Sequence, residues 1–121
     1  MIVPSFSDSA LIFRASRADY DELLSGGVRI YEQRYAMLHA KSMVVDSALS
    51  MVGSANFDIR SFLHNNEVNA VVVGSDFAER MEALFQRDLG DTRELQLENW
   101  RSRPWLDRFK ELTSSLFSYW L

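Results

Sequence analysis

The stretch from Leu38 to Val52 leaves the chain few folding options. Leu38-His39-Ala40-Lys41-Ser42-Met43-Val44-Val45-Asp46 reads as a strand whose end is rich in β-branched residues. Ser47-Ala48 is a short turn, and Ser50-Met51-Val52 returns as a hairpin partner. The loop from Gly53 to Asn56 is built of small and polar residues. An antiparallel hairpin with an active-looking loop at one end therefore anchors the expected fold, and the rest of the sequence must pack around it.

The flanking signals predict an α/β (α+β) arrangement in the order β-α-β-β-β-α-α. Met1-Ile2-Val3-Pro4 resembles the tail of a buried strand. It has neither the basic start nor the long apolar run of a signal peptide, and a domain that opens in mid-strand is expected to be a piece of a larger protein. Asp8 or Ser9 is the expected N-cap of a helix over about 10–24, Ser16-Arg17-Ala18-Asp19 reads as a second capping box, and Gly26-Gly27 as the stop. Val28 to Tyr31 alternates as a strand. One helical turn is expected from Phe57 to Phe62. A Val-rich strand from Glu67 to Val73 is expected to be buried on both faces near its end. Ser75 is the expected cap of a helix with Phe77, Met81, Leu84 and Phe85 on one face, and Gly90 its end. Residues 91–99 read as a polar connector. Pro104 opens a last amphipathic helix and tail over 104–121, with Trp105, Phe109, Leu112, Leu116 and Trp120 at helical steps.

Composition narrows the chemistry. The 121 residues suit one domain, and 47% apolar residues suffice for a core. With no Cys, a disulfide scaffold, a thiolate metal site and a thiol nucleophile are excluded, and two His are too few for a His-rich metal cluster. No run of about 18 apolar residues is present to form a transmembrane helix. The net charge of −4 disfavours a nucleic-acid partner. Yet 11 of the 13 basic residues are Arg, which keeps local anion recognition open.

The residues that carry chemistry lie in one 18-residue window with the spacing H-x-K-x4-D-x6-G-S-x-N: His39, Lys41, Asp46, Gly53, Ser54 and Asn56. Residues two apart on a strand share a side, so His39 and Lys41 project together while Leu38 and Ala40 turn toward a core. The hairpin return brings residues 53–56 to the His39 end. A titrating base, a fixed cation and two short neutral donors around one point suit phosphoryl transfer. Taken singly, each residue has a plainer explanation. A strand His is usually structural, Lys41 alone is a solvated charge, and Asp before a turn is ordinary turn chemistry. The joint spacing is what separates the two readings.

That spacing resembles the HKD motif of the phospholipase D superfamily. The flanks, Asp19-Tyr20-Asp21-Glu22-Leu23-Leu24, Gly27-Val28-Arg29-Ile30-Tyr31-Glu32, Val52 to Ser61 and Asn66-Glu67-Val68-Asn69, are similar to the C-terminal catalytic half of bacterial cardiolipin synthases. So is the ending, a Trp/Arg/Pro segment before a Leu-Phe-Ser-rich tail. The resemblance implies a phospholipase D-like half-domain, a mixed β-sheet flanked by helices, with residues 1–121 forming one such unit. It implies a phosphatidyltransferase that makes cardiolipin from two phosphatidylglycerol molecules through a phosphohistidine, with no metal or other cofactor. His39 matches the acid/base His. Lys41, Ser54 and Asn56 match the phosphate-binding positions, Asp46 completes the motif in a structural role, and Glu67 matches the carboxylate that holds the catalytic imidazole. The implied partners are the phospholipid, a membrane surface, and either the missing N-terminal half or a second copy of the chain, with the full-length protein at the bacterial inner membrane. A homodimeric phosphodiesterase or nuclease and an inactive domain fragment are the alternatives.

Weaker expectations attach to other residues. Ser7, Asp8, Arg14 and Arg60 are candidate substrate contacts, the first three because loops at strand ends line ligand crevices. Arg17 follows Arg14 on the same helix, and His64 reads as an ordinary loop residue. Tyr35, Met37 and Phe62 either line a lipid entrance or pack in the core. The tail Leu116-Phe117-Ser118-Tyr119-Trp120-Leu121 either packs on protein or anchors at a membrane interface.

Overall fold

A computed structural model describes residues 1–35, 37–56, 64–106, 109, 111, 113 and 114. The elements are β1 (Ile2–Pro4), α1 (Ala10–Ser16), α2 (Tyr20–Ser25), β2 (Tyr31–Gln33), β3 (Ser42–Val45), β4 (Leu49–Gly53), β5 (Asn69–Val73), α3 (Ser75–Leu89), β6 (Thr92–Glu94) and α4 (Leu97–Arg101). They gather into two compact units, residues 1–38 with 91–121, and residues 39–90. The mixed α and β content is that of a phospholipase D-like half-domain.

The first unit holds a mixed sheet in the order β1-β2-β6. β1 runs parallel to β2 with Val3 opposite Glu32, and β2 runs antiparallel to β6 with Glu32 opposite Arg93. Val3, Tyr20, Ile30 and Trp100 form its buried cluster, with Leu23, Leu24 and Leu95 packed against it. The Tyr20 and Trp100 rings meet at 5.3 Å between centroids. Burial pushes the Tyr20 phenol up to about 12, so it stays neutral in the core.

The expected helix over 10–24 is two helices. The N–H groups of Arg17, Ala18 and Tyr20 bond to carbonyls three residues back, at 3.1–3.2 Å, which breaks the α-helical ladder. The break falls on the second capping signal. Asp19 occupies the N-cap of α2, although its side chain makes no capping hydrogen bond. Gly26-Gly27 stops α2 as expected. Val28 N–H donates to Leu23 O at 2.9 Å and Gly27 N–H to Leu24 O at 3.1 Å, with Gly27 at φ 86. This paired closure needs a residue in the left-handed region, which Gly enters without penalty.

The connector expected at 91–99 contains β6 and the start of α4. Its charged residues look unlike a strand because their partners are remote in sequence. Arg93 Nη2 donates to Glu32 at 2.7 Å, and Arg29 grips Glu94 through two bonds of 2.8 and 3.1 Å. Cross-strand charge pairs hold the ladder where apolar pairs are missing. Arg101 likewise ties α4 to α2 through two 2.9 Å bonds to Asp21.

Beyond α4 the backbone is helical at 105, 106, 109, 111, 113 and 114. Its buried side chains are Glu111 and Ser114, whereas Trp105 and Phe109 are exposed at 71% and 59%. Glu111 is drawn inward by Arg103, which donates to it at 2.7 and 3.1 Å. Leu112 and the tail from Leu116 to Leu121 lie outside the described residues. Tyr35 and Met37 are exposed rather than packed in a core.

The second unit is an antiparallel sheet, β3-β4-β5, crossed by α3. β3 begins at Ser42 rather than Leu38, and Ala40 is exposed rather than core-facing. At the hairpin tip Ala48 N–H donates to Val45 O at 3.1 Å, with Asp46 at φ 51 and Ser47 at φ 49. Asp is among the few residues that tolerate this left-handed backbone, so Asp46 is explained by the turn. Ser47 Oγ also donates to Glu82 of α3 at 2.7 Å.

The helix starts one residue after Gly74, which holds the N-cap position expected for Ser75. Ala78 is its fully buried residue, while Phe77, Leu84 and Phe85 remain about two-fifths exposed. Ser50 at the centre of β4 is also fully buried, which puts α3 on the Ser50 face of the sheet. The register lines the opposite face with Met43, Val45, Leu49, Met51, Val71 and Val73. The end of β5 is not buried on both faces as expected, since Val73 is 80% exposed. It is an edge strand, and α3 covers one face only.

The Ser50 hydroxyl has no hydrogen-bond partner among the described residues. A buried donor left unsatisfied is a net cost. Ser50→Ala is expected to raise the unfolding free energy by about 1 kcal/mol, read from the urea midpoint. A lowered midpoint would mean the hydroxyl has a partner in solution.

Candidate active site

The site expectation falls in the second unit, at the end of the sheet opposite the hairpin tip. Pairing continues one bond past β3, where Gly53 N–H donates to Lys41 O at 3.0 Å. Gly53 also faces Asn69 of β5. Lys41, Gly53 and Asn69 thus form one row across three strands. The row is close because Gly53 has no side chain. A Cβ there would overlap Asn69 Oδ1 and Val68 O and stand 2.7 Å from Asn69 Cα.

The next row carries the polar groups. Ser54 N–H donates to Val68 O at 3.0 Å, and Val68 N–H donates to Ser54 Oγ at 3.0 Å. Ser54 Oγ donates to Glu67 Oε2 at 2.5 Å, a charge-assisted bond. Asn65 Nδ2 donates to the other carboxylate oxygen at 3.3 Å. Ala55 N–H reaches Asn69 Oδ1 at 3.4 Å. The small-residue loop is therefore clamped to residues 65–69 from both sides.

His39 and Lys41 stand beside this loop. Lys41 Nζ donates to the His39 carbonyl at 2.8 Å, which folds the ammonium back over the His39 backbone. The His39 side chain is exposed and has no hydrogen-bond partner among the described residues. Glu67 is the carboxylate expected to hold the His39 imidazole, and it accepts from the Ser54 hydroxyl and Asn65 Nδ2. Asn56 is exposed in the same loop, two residues beyond Ser54. Asp46 lies at the other end of the hairpin, roughly 16 Å from Lys41 by strand rise.

The weaker candidates are elsewhere. Ser7 Oγ donates to Asp8 at 3.2 Å and accepts from Ser9 N–H at 3.3 Å, and Ser9 O receives Phe13 N–H at 3.0 Å as α1 begins. Ser7 and Asp8 thus form the entry to a helix in the first unit. Arg14 is exposed at the end of α1, and Arg60 lies outside the described residues, as do Phe62 and the turn expected from Phe57. His64 is an exposed loop residue.

An ion-pair network in the first unit escaped the sequence. Glu32, only 3% exposed, forms an ion pair with Arg17 at 3.1 Å and accepts a hydrogen bond from Arg93 at 2.7 Å. Arg17 also approaches Glu111 at 3.6 Å, and the Arg103 guanidinium lies 3.2 Å from the Trp100 ring centre. No local signal finds it, because its members come from five separate segments. Among the described residues no three His, Asp or Glu side chains gather as a metal site, and no helix is long and apolar enough to cross a membrane.

Residues 1–89 match the family model described as "Cardiolipin synthase, PLD-like domain". The chain is 39% identical over 118 residues to a cardiolipin synthase of Geobacillus sp. (strain WCH70), covering 98% of this chain and 24% of that protein. It is 38% identical to cardiolipin synthase 2 of Bacillus anthracis and 37% identical to cardiolipin synthase A of Proteus mirabilis (strain HI4320), each over 98% of this chain and 23% and 24% of those proteins. The chain thus spans about a quarter of the length of the curated relatives it matches. No solved structure matches it.

Proposed function

The chain belongs to the cardiolipin synthase, PLD-like domain family, and from that premise we propose that it supplies the second catalytic motif of a phosphatidyltransferase joining two phosphatidylglycerols into cardiolipin. The observation that carries this reading is the backbone pairing that sets Lys41 beside Gly53 at one sheet end, with Ser54 next in the chain and His39 two residues before Lys41. Those groups suit a phosphodiester, which needs fixed positive charge and short donors on its non-bridging oxygens.

The chemistry proceeds in two displacements. A His of the other catalytic half attacks the phosphorus of the first phosphatidylglycerol, and the P–O bond to glycerol breaks. His39 gives its proton to the departing glycerol oxygen, leaving a phosphatidyl group on the attacking nitrogen. His39 then takes the proton from a glycerol hydroxyl of the second phosphatidylglycerol, whose oxygen attacks phosphorus and frees the nucleophilic His. Cardiolipin and glycerol are the products. Lys41, Ser54 and Asn56 hold the phosphoryl oxygens through both steps. Glu67 orients Ser54; on substrate binding the Ser54 proton turns from the carboxylate to the phosphate. Asp46 serves the hairpin turn.

The other half comes from the rest of a longer polypeptide, as the length of the relatives suggests, or from a second copy. Its substrate being a lipid, the full enzyme works at the surface of the bacterial inner membrane. Excess negative charge argues against a nucleic-acid substrate.

The test is a full-length polypeptide carrying this chain, supplied with labelled phosphatidylglycerol in vesicles. It is expected to release glycerol and form cardiolipin. Lys41→Ala is expected to lower kcat/KM by about 10²–10³-fold, the usual loss for one fixed charge or donor on the reacting oxygens. Formation of phosphatidic acid alone, or an unchanged rate in Lys41→Ala, would overturn the transferase assignment or the role of Lys41 respectively.

A further inference from the structure

The first unit holds a concavity of about 440 Å³ lined by Ser5, Glu32, Arg34 and Arg93. Its place in the fold is informative. Ser5 directly follows β1 and Arg34 directly follows β2, and these strands are parallel neighbours. Ligands of α/β sheets settle at the carboxyl ends of parallel strands, where the backbone leaves the sheet and loops diverge. Nothing in the catalytic reading uses this end of the first sheet.

Its charge is equally informative. Glu32 is buried and committed, with Arg17 and Arg93 both bound to it. That pairing fixes the Arg93 guanidinium through one nitrogen, at 2.7 Å, while the side chain stays 64% exposed. Its remaining N–H groups have no partner among the described residues. Arg34 is exposed, and its guanidinium forms no ion pair or hydrogen bond among the described residues. A free Arg and a pre-oriented Arg thus share one concavity in a chain of net charge −4. The planar fork of Arg matches the oxygens of a phosphate better than any other side chain. Anchoring one fork in advance lowers the ordering cost of capture. The Ser5 hydroxyl adds a neutral donor at the rim. The volume suits a group of phosphoglycerol size.

We propose that Ser5, Arg34 and Arg93 form an anion site for a phosphate ester, separate in its residues from the constellation at His39 to Asn56. The shared chemistry is a phosphoryl group bearing a small polyol, presented either on a lipid headgroup or as a free glycerol phosphate. The site stands on the geometry of the first unit alone, so it survives if the catalytic proposal fails.

The test uses the chain carrying Lys41→Ala, which removes the ammonium of the other phosphate constellation. Two probes separate the sources: sn-glycerol 3-phosphate in solution, followed by calorimetry, and phosphatidylcholine vesicles with and without phosphatidylglycerol, followed by sedimentation. Adding Arg34→Gln is expected to weaken binding about tenfold, the usual effect of losing one charge-assisted pair. Arg80→Gln, the same charge change on α3, is expected to leave it unchanged. Ser5→Ala gives a second, smaller loss from a variant that removes no charge, and the thermal midpoint of each variant reports its fold. Arg34-dependent binding of soluble glycerol phosphate supports a site for the free ester. Arg34-dependent binding of vesicles alone supports a headgroup site. Binding that falls equally in Arg80→Gln is general charge attraction and overturns the proposal. So does the absence of binding to both probes, or binding untouched by Arg34→Gln.

Discussion

Cardiolipin formation by a full-length polypeptide carrying His39→Ala is expected to fall by at least about 10³-fold, with the unfolding midpoint unchanged. The two halves of that expectation come from different observations. His39 is exposed and hydrogen-bonded to none of the described side chains, so its loss is expected to cost the fold little. In the proposed mechanism its loss does remove the group that protonates glycerol as the P–O bond breaks and deprotonates the acceptor in the second step. General acid–base catalysis is worth about 10²–10⁴-fold per step. Substrate choice then separates the acid/base role from that of the nucleophile. A phosphatidyl ester of p-nitrophenol needs no proton to leave, so the first-turnover burst of nitrophenol from His39→Ala is expected to return to within about tenfold of the parent, while later turnovers stay slow for want of the base. Failure of that rescue would make His39 the attacking residue, and retained cardiolipin synthesis would remove it from the mechanism. The isolated chain as a monomer brings only this one motif His to the reaction, and no turnover of phosphatidylglycerol is expected from it.

Gly53→Ala is expected to cost about 3 kcal/mol or more of stability in the second unit and to abolish catalysis with it. The added methyl meets Asn69 Oδ1, Val68 O and Asn69 Cα. Two of these three are backbone atoms of the neighbouring segment, which cannot rotate away as a side-chain tip does. Overpacking against movable side chains costs about 1–3 kcal/mol; here the strands themselves must separate. The bonds at risk are those that define the site, Gly53 N–H to Lys41 O and Ser54 N–H to Val68 O. Urea unfolding gives the stability change, and the full-length assay gives the loss of activity. Asn69→Ala added to Gly53→Ala is expected to recover less than half of the stability, because it removes the Oδ1 overlap and leaves the Val68 carbonyl in place. An unchanged urea midpoint in Gly53→Ala would show that the strands are not held this close.

What was legible in the sequence was what is settled locally. The hairpin at 42–53 and the stop at Gly26-Gly27 follow from residues a few positions apart, and both are present. The assembly of Lys41, Gly53 and Ser54 at one end was legible for the same reason, since a hairpin fixes its own register. The misreadings share the opposite cause. β6 looks like a linker because Arg93 and Glu94 find their charge partners at Glu32 and Arg29, more than 60 positions away. The last helix buries Glu111 and exposes Trp105 because Arg103 supplies a partner that apolar periodicity does not register. The valines of β5 spell a fully covered strand, but coverage depends on what packs there and not on the strand itself. The bond between Glu67 and Ser54 was not legible either, since motif spacing says which residues share a site and not which of them touch.

The outer edge of β5 has a consequence for how such a chain must be made. Asn69-Ala70-Val71-Val72-Val73 contains no charge, no proline and no bulge, and Val71 and Val73 stand open beside it. Edge strands ordinarily carry a lysine or a proline that prevents pairing with the next molecule, and short uncharged valine runs are those that stack into cross-β assemblies. A polypeptide that emerges from the ribosome with this edge open is in a race. Either intended neighbours cover the strand, or a second nascent chain does. Synthesised alone at high concentration, the chain is expected to lose soluble yield to that pairing, and dilution is expected to restore it.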